Sequence, residues 1–342
     1  MLNLTGVLLM TGLLTASPES PPLNRFEYRE VQMGSLFTLV LYAKDEQTAN
    51  AAARAAFDRV AALNKRLSDY DEQSELSQLC RTSEAGTPVK VSEELFYVLA
   101  QARELSQKTE GAFDVTVGPL VQLWRRSRRQ RELPSEQRLK EAQPKVGYEK
   151  MKLSPDAQTV ELLTADMRID LGGIAKGYAA DEALAVLRSR GIDRALLAAS
   201  GDVVAGEGPP GEKGWRVGIA PLDAEAPSSR FVWLKNQAVS TSGDAFQFVE
   251  IGGVRYSHIL NPKTGLGLTG RQSVSVVASK GISTDSLASA VSVLGRDEGL
   301  KLIDSLPDTA ALIVYLDGAG KVQTVASKRW VGLPVELGVP NP

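Results

Sequence analysis

Segments with helical periodicity alternate along this chain with short β-rich runs that are separated by glycine, proline and aspartate turns. Apolar residues repeat at helical spacing in four segments, which are residues 49–67, 92–110, 175–190 and 284–294. The β-rich runs occupy residues 26–42, 150–170, 195–277 and 310–325. Because long helices are interleaved with runs typical of antiparallel strands, the chain is predicted to be an α+β protein.

Local residues define the ends of two of these helices. Ser92 stands before Glu93 and Glu94 and is predicted to cap the helix over residues 92–110. Gly191 follows the helix over residues 175–190 and suits its C-terminal cap. The polar residues 125–148 are expected to form short helices or a mobile insertion.

The charge balance argues against broad nucleic-acid binding. The sequence has 39 Lys and Arg against 41 Asp and Glu, a net charge of -2, whereas nucleic-acid binding needs a basic surface to neutralise phosphates. One basic cluster stands out, formed by Arg125, Arg126, Arg128, Arg129 and Arg131. It is typical of a solvated helix face, and docking of an acidic partner is the alternative.

The sequence contains one cysteine, Cys80, and one histidine, His258. A single cysteine can form no intrachain disulfide and excludes a cysteine-based zinc site. His258 ends a β run just before a Pro/Gly turn, where an imidazole could act as a general base near neutral pH. The alternative is a structural or exposed histidine.

Residues 1–22 differ in character from the rest of the chain. Their apolar run ends in small residues at Ala16 and Ser17, and a Pro/Ser-rich stretch follows. The run is shorter than the roughly 20 apolar residues of a membrane span and suits a signal-peptide core. No cysteine lies just downstream to carry a lipid anchor. We therefore expect residues 1–22 to be a signal peptide and linker, and residues 23–342 to be the folded, exported domain.

Residues 169–181 are predicted to run from a strand through Gly172 and Gly173 into a helix that carries Lys176. Glycines before a helix expose unpaired N–H groups that can bind phosphate. The pattern is neither a dinucleotide fingerprint nor a P-loop, so an ordinary strand–turn–helix is the alternative.

Asp285 and Ser289 lie four residues apart at the start of the helix over residues 284–294, so their oxygens face the same side. A carboxylate, a hydroxyl and a nearby main-chain carbonyl form a hard-oxygen site suited to Mg²⁺, which completes its shell with water and substrate phosphate. The alternative is that Thr284 or Asp285 only caps the helix.

Two further segments carry groups that could contact a ligand. Ser240, Thr241 and Ser242 stand before Gly243, and such residues form tight turns whose N–H and O–H groups can hold phosphate oxygens. Tyr70 lies in a polar segment after a helix and could stack on a planar ligand. Each segment taken alone is also compatible with an ordinary loop.

The order of these segments resembles the ApbE family of FAD:protein FMN transferases along nearly the whole mature chain. The matching pieces are residues 33–35, 70–79, 111–120, 170–181, 200–202, 240–244, 256–265 and 285–290. Because so many pieces occur in the same order, chance agreement is improbable.

The resemblance implies the ApbE-like α+β fold, a duplicated T-fold-like single compact unit with an FAD cleft between two lobes. It also implies protein flavinylation, in which FMN passes with Mg²⁺ from FAD to a Thr or Ser hydroxyl of a target flavoprotein and AMP is released. The implied target is a subunit of a membrane electron-transfer complex, which allows proximity to a membrane surface. The implied location is periplasmic or otherwise extracytoplasmic.

The resemblance also implies the site residues. The cofactor-binding residues would be Met33, Tyr70, Ala112, Phe113, Asp114, Asp170, Lys176, Ser240, Thr241, Ser242, Gly243, His258 and Ile259. The metal would be held by the main-chain oxygen of Gly173, together with Asp285 and Ser289. The segment around Ala288 would lie against the same metal. His258, as the base for the attacking hydroxyl, and Asp285 would be the catalytic residues.

The chain departs from the family pattern at several positions. Ser289 stands where the family usually has Thr, Asn261 where it has Asp, and Val115 where it has Pro. Ser289 keeps a hydroxyl oxygen, so the predicted metal site is retained. Two other functions stay open, an FAD pyrophosphatase that yields FMN and AMP, and a non-enzymatic exported FAD-binding protein. By resemblance, Tyr70 favours the transferase over the pyrophosphatase.

Overall fold

The computed structural model describes residues 22–82, 85–223, 226–245 and 247–338. The predicted signal peptide and linker therefore lie outside the described residues, except for Pro22. The helices are α1 (Glu46–Leu67), α2 (Glu75–Thr82), α3 (Glu93–Lys108), α4 (Gly118–Gln130), α5 (Glu136–Ala142), α6 (Ala175–Ser189), α7 (Gly281–Leu294) and α8 (Arg296–Ser305). Among the described residues, no helix combines the length and the apolar character that a membrane-spanning helix needs.

The strands form one large sheet and several small ones. In chain order they are β1 (Asn24–Gln32), β2 (Ser35–Ala43), β3 (Pro88–Lys90), β4 (Met151–Ser154), β5 (Thr159–Leu162), β6 (Ala195–Ala199), β7 (Asp202–Ala205), β8 (Trp215–Gly218), β9 (Arg230–Leu234), β10 (Gln237–Gly243), β11 (Phe248–Ile251), β12 (Val254–Ser257), β13 (Leu260–Asn261), β14 (Leu266–Gly267), β15 (Gln272–Ala278), β16 (Ala310–Leu316), β17 (Val322–Ala326) and β18 (Val335–Leu337). The large sheet has the order β1-β2-β6-β7-β10-β15-β16-β17, and each neighbouring pair is antiparallel. An antiparallel sheet covered by helices confirms the predicted α+β class.

The two faces of the large sheet are covered differently. Successive strand residues point to opposite faces, so Leu39 of β2 packs in the core with α1, α3, α6 and α7, whereas Val40 packs on the other side. There Val40 belongs to a cluster with Trp215 of β8 and Val232 of β9, which are part of the small sheet β18-β9-β8. A third cluster joins Trp124 of α4 to the strands after residue 247.

Most of the predicted elements are confirmed, with shifted ends. The cap at Ser92 is confirmed, since its hydroxyl accepts the amide of Leu95 at 3.3 Å, and Gly191 has the predicted left-handed conformation with φ +77°. The helix predicted over residues 49–67 begins at Glu46, because the carboxylate of Asp45 caps it by accepting the amide of Thr48 at 2.7 Å. Residues 125–148 do contain short helices, but α4 already begins at Gly118.

Two local predictions were wrong. Residues 169–170 form no strand before the glycine turn; the chain makes only an isolated bridge there, between Val117 and Arg168. Residues 240–243 form no tight turn, because they lie in β10, between β7 and β15 in the large sheet. Cross-strand pairing of small hydroxyl side chains competes with turn formation. Here pairing with β7 and β15 keeps these residues in an extended strand.

Helices α6 and α7 cross at two glycines and cap each other. A Cβ atom on Gly177 would lie 2.1 Å from the carbonyl oxygen of Gly281, so only glycine allows this approach. Neither helix has a side-chain cap from its own N-cap residue. Instead, Asp285 of α7 accepts the amide of Gly177 at 3.1 Å, and Asp181 of α6 accepts the amides of Gly281 and Ile282 at 2.7 and 3.0 Å. Each carboxylate thus satisfies the unpaired N–H groups and the positive end of the other helix.

The alternative that Thr284 or Asp285 caps its own helix is wrong. The helix begins at Gly281 and its N-cap residue is Lys280. Thr284 and Asp285 therefore lie inside the helix, and neither occupies the cap position. The carboxylate that the sequence places at a helix start therefore serves the neighbouring helix α6.

We expect Gly177→Ala to destabilise the fold, because the added methyl group has to push the two helix backbones apart. Overpacking of this kind lowers the free energy of unfolding by about 1–3 kcal/mol. The methyl group would meet backbone atoms of Gly281, which cannot move as a side chain can, so we expect a loss at the upper end of this range. The free energy of unfolding from urea titration measures the effect. Gly270→Ala is the matched control, since nothing lies within 4 Å of its Cβ position. Equal stability of the two variants would contradict the close crossing.

Candidate functional site

A cleft of about 860 Å³ lies where the β1–β2 turn, α4, the glycine turn before α6 and one side of α7 meet. Its volume falls in the range of small-molecule and cofactor pockets. The predicted site residues that line it are Met33, Tyr70, Ala112, Phe113, Asp114, Asp170, Gly173, Lys176, His258, Ile259 and Ser289. Residues that are distant in sequence thus meet in one cavity.

The polar base of the cleft is built around Lys176. Its ammonium lies 3.3 Å from Oδ2 of Asp202 and 4.0 Å from Oδ2 of Asp285, and it donates a hydrogen bond to the carbonyl of Gly172 at 3.2 Å. The negative charges of Asp285 and Asp202 raise the pKa of Lys176, which therefore stays protonated. Burial and the charge of Asp202 raise the pKa of Asp285, although Lys176 acts in the opposite direction.

With both carboxylates ionised, the balance of charges at this point is negative, and this imbalance is one cause of the raised pKa of Asp285. One ammonium faces two buried carboxylates, since Asp202 and Asp285 are 5% and 4% exposed. Charges buried in a protein interior need compensation. A divalent cation close to Asp285 would supply the missing positive charge.

The oxygen atoms predicted to bind a metal converge beside this cluster. Ser289 lies one helical turn after Asp285. The hydroxyl oxygen of Ser289 is close to Gly173, since a Cβ atom on Gly173 would lie 3.0 Å from it. The carbonyl oxygen of Gly173 accepts no hydrogen bond from the described residues, because the amide of Gly177 donates to Asp285 instead. A carboxylate, a hydroxyl and a free carbonyl oxygen are the ligand types that Mg²⁺ prefers.

The donor set contains only one carboxylate. Within the described ranges, no group of three or more His, Cys, Asp or Glu side chains is placed to hold a metal ion. Ala288, also predicted to lie against the metal, is fully buried, and its carbonyl accepts the hydroxyl of Ser292 at 2.8 Å. The residues present therefore fit a cation that keeps water and substrate oxygens in its shell, as Mg²⁺ does.

The predicted phosphate ligands on β10 do not line the cleft. The hydroxyl of Ser240 pairs with that of Thr284 at 2.8 Å, and the hydroxyl of Thr241 pairs with that of Ser275 at 2.7 Å. Ser242 comes closest, with its hydroxyl 3.5 Å from that of Ser289. Gly243 ends the strand. Ser240 and Ser242 thus support α7 from behind, Thr241 pairs with β15, and a direct contact of these residues with phosphate stays a prediction.

His258 lies on the wall of the cleft in its neutral form. Its Nδ1 is 3.2 Å from the main-chain oxygen of Gln247. A carbonyl oxygen only accepts hydrogen bonds, so Nδ1 carries the proton and Nε2 is left as a proton acceptor. Burial, together with the charges of Arg128 and Lys176, lowers the pKa of His258 to about 4. An unprotonated ring nitrogen is therefore available at neutral pH.

Arg125 links the rim of the cleft to its base. Its guanidinium lies 2.5 Å from Asp69 and 2.8 Å from Asp170, and it stacks over the ring of Tyr70 at 4.1 Å. The other oxygen of Asp170 accepts the amide of Gly172 at 2.8 Å. Both oxygens of Asp170 thus hold the glycine turn and α4 in place.

The loop that carries Ala112, Phe113 and Asp114 is fixed by the carboxylate of Asp114. Its Oδ1 accepts the amide and the hydroxyl of Thr116 at 2.8 and 2.7 Å, and its Oδ2 accepts the amide of Tyr148 at 2.9 Å. Burial nevertheless raises the pKa of Asp114. Asp114 therefore shapes the wall that Ala112 and Phe113 present to the cleft.

The sequence missed two charged residues of the site. The sequence pattern places Arg125 on a solvated helix face, and nothing in it marks the two carboxylates that Arg125 binds. Asp202 stands in the matching piece over residues 200–202, and the sequence pattern predicts no role for it. The signal for Asp202 was its place after Gly201, where β7 begins beside the cleft base.

Comparison with known proteins places the chain among flavin transferases. A model described as the ApbE family matches residues 33–313. The FAD:protein FMN transferase of Haemophilus influenzae is 31% identical over 75% of this chain and 76% of the relative, and that of Treponema pallidum is 30% identical over 86% and 85%. The structure of the Pseudomonas stutzeri flavinyl transferase ApbE superposes with a TM-score of 0.80 at 27% identity, covering 94% of this chain and 99% of that one.

The chain therefore belongs to the ApbE family. The family match spans the cleft and its polar base, from Met33 through Ser289. The predicted family and the predicted single compact α+β unit are both confirmed.

We expect the single histidine to titrate far below its usual range. In untagged protein, the imidazole nuclear magnetic resonance signals belong to His258 alone, and their midpoint should lie near pH 4 instead of 6.5. The ¹⁵N shifts should indicate the Nδ1–H form. Since the unfolded chain binds this proton at higher pH, His258 should lower the free energy of unfolding as the pH falls from 6.5 to 4. A midpoint near 6.5 in folded protein would refute the partly buried neutral form.

Proposed function

We propose that this protein transfers FMN from FAD to a Thr or Ser hydroxyl of an acceptor protein, with Mg²⁺, and releases AMP. The observation that carries the proposal is the base of the cleft, where Lys176 lies between two buried carboxylates, beside the Gly173 and Ser289 oxygens. The neutral His258 lies in the same cleft. Family membership and the names of the relatives support the same reaction.

In this proposal, the carboxylate of Asp285, the hydroxyl of Ser289 and the carbonyl of Gly173 hold Mg²⁺, next to Ala288. When bound, the ion neutralises charge on the pyrophosphate of FAD and withdraws electrons from phosphorus. Ser289 replaces the Thr that is usual in the family and offers the same oxygen.

The chain's own residues bind and orient the FAD. The ammonium of Lys176 is placed to balance phosphate charge at the base of the cleft. Met33, Ala112 and Phe113 supply apolar contact. Arg125 covers one face of the Tyr70 ring, and the proposal assigns stacking on a planar group to the other face of this ring, which is 78% exposed. Positioning and charge neutralisation supply most of the catalysis in phosphoryl transfer.

His258 is the proposed general base. The acceptor oxygen forms a bond to the FMN phosphorus while its proton moves to Nε2 of His258. The bond between this phosphorus and the bridging oxygen breaks, and AMP leaves with that oxygen. Attack by water on the same phosphorus would give free FMN and AMP.

We also propose that the protein acts outside the cytoplasm, after cleavage of a signal peptide that lies within residues 1–22. The proposed acceptors are flavoprotein subunits of membrane electron-transfer complexes, as the resemblance implies. The apolar run before Ala16 supports export. Mass spectrometry of the protein recovered from the periplasm of a bacterial host should find a shortened N-terminus. Full-length chain retained in the cytoplasm would contradict export.

We expect Asp285→Ala to abolish Mg²⁺-dependent turnover, because it removes the only carboxylate of the proposed metal site. The assay incubates enzyme, FAD, Mg²⁺ and an acceptor subunit, and measures the mass of the acceptor and the AMP formed. Asp156→Ala, at an exposed turn outside the lining of the cleft, is the control. Full activity of the Asp285 variant would refute the metal assignment, provided that chelation of Mg²⁺ stops the wild-type reaction.

We expect His258→Ala to lower kcat about 10²–10⁴-fold, as the loss of a general base does. The affinity for FAD, measured by flavin fluorescence, should change far less, because the ring contributes only part of the cleft wall. Unchanged transfer would assign His258 a purely structural role. Equal losses in FAD binding and in transfer would show that it binds FAD without acting as the base.

A further inference from the structure

A second groove of about 660 Å³ adjoins the cleft. We call it the basic groove, and its lining residues are Tyr70, Arg125, Arg128, Arg129, Arg131, Phe248, Val249 and Glu250. The arginines belong to α4 and its C-terminal cap, and the last three residues belong to β11. Because Tyr70, Arg125 and Arg128 also line the cleft, the two cavities share a rim.

The basic groove carries unpaired positive charge. Arg125 is neutralised by Asp69 and Asp170, as described above. Arg128, Arg129 and Arg131 form no ion pair with any carboxylate in the part of the chain that the structure describes. Glu250 is the one acidic residue of the lining, so three guanidinium groups face one carboxylate.

The shape of the basic groove distinguishes it from a solvated helix face. Val249 of β11 is buried with Trp124 of α4, which holds the two walls together. Tyr70 is 78% exposed and Phe248 39%, so aromatic surface also lines the groove, with Arg125 stacked on one ring and Arg255 on the other. Guanidinium groups bind carboxylates through paired hydrogen bonds, and flanking aromatic rings contact the backbone or side chains of a peptide.

The position of the basic groove indicates its occupant. An acceptor hydroxyl would reach FAD over the rim of the cleft, and an acceptor chain that crosses the rim at Tyr70 and Arg128 would continue into the basic groove, because these residues line both cavities. A concave groove suits an extended peptide, whereas a lipid surface contacts convex or flat patches. Excess positive charge requires an acidic ligand.

We propose that the basic groove binds an acidic segment of the acceptor protein and selects acceptors by charge. The acidic segment lies to one side of the hydroxyl that receives FMN, and Arg128, Arg129 and Arg131 bind its carboxylates. This inference rests on the proposed function, because it needs a protein acceptor at the cleft.

The test uses FAD-loaded protein and fluorescein-labelled octaglutamate, with octalysine as the opposite-charge probe. Fluorescence anisotropy should detect octaglutamate binding that weakens as salt is added, and no binding of octalysine. The double reversal R129E/R131E should weaken octaglutamate binding at least tenfold. Both residues are exposed and line only the basic groove, so flavin fluorescence should report unchanged FAD affinity.

The matched control is R190E/K321E, which reverses two exposed charges away from both cavities and should keep octaglutamate binding. Absent octaglutamate binding, or equal binding by R129E/R131E and wild type, would overturn the inference. Flavin transfer that persists in that case would leave the proposed function standing. Conversely, octaglutamate binding without any flavin transfer to acceptors would contradict the proposed function while the basic groove remains an acidic-peptide site.

A lipid surface is the other source of negative charge that the test has to separate. Vesicles of phosphatidylglycerol and phosphatidylcholine are added to the same variants in a sedimentation assay. Sedimentation that requires Arg129 and Arg131 and is not reduced by octaglutamate would assign the arginines to a membrane, and so overturn the proposal. Displacement of the labelled peptide by unlabelled octaglutamate, with no sedimentation, supports it.

Discussion

The crossing of α6 and α7 is the contact on which the site depends. Gly177 and Gly281 let the two backbones meet, and the carboxylates of Asp181 and Asp285 each satisfy the amides of the opposite helix. Because Asp285 is both a helix cap and the proposed metal ligand, the geometry of the helix pair and that of the site are set together. A shift of either helix would move the carboxylate, the glycine turn and Lys176 relative to one another.

Buried charge gives the base of the cleft its chemical character. Lys176 balances only one of its two carboxylate neighbours, Asp202 and Asp285. The shortage of positive charge beside the second carboxylate favours a cation next to Asp285. Lys176 stays protonated and can therefore attract a phosphate group. His258, by contrast, is kept neutral by burial and by nearby positive charge, so one cleft holds a cationic lysine and an unprotonated base.

The cleft and the basic groove differ in chemistry, so they suit different ligands. The cleft combines apolar walls with a charged base, which suits a dinucleotide. The basic groove lies at its rim and carries arginines without partners in the described residues, which suits an acidic chain. Arg125 joins the two through Asp69 and Asp170, so α4 is fixed against the glycine turn that ends the cleft.

The sequence by itself determined the α+β class, most helices and strands, the cap at Ser92 and the grouping of Asp285 with Ser289, because periodicity, capping and i,i+4 spacing are local properties. It could not determine that Ser240 lies in a sheet, that Arg125 is bound by two carboxylates or that Asp202 faces Lys176. Those facts depend on strand pairing and helix packing between distant segments. Only the tertiary structure, which brings such segments together and buries their charges, decided how the site is built.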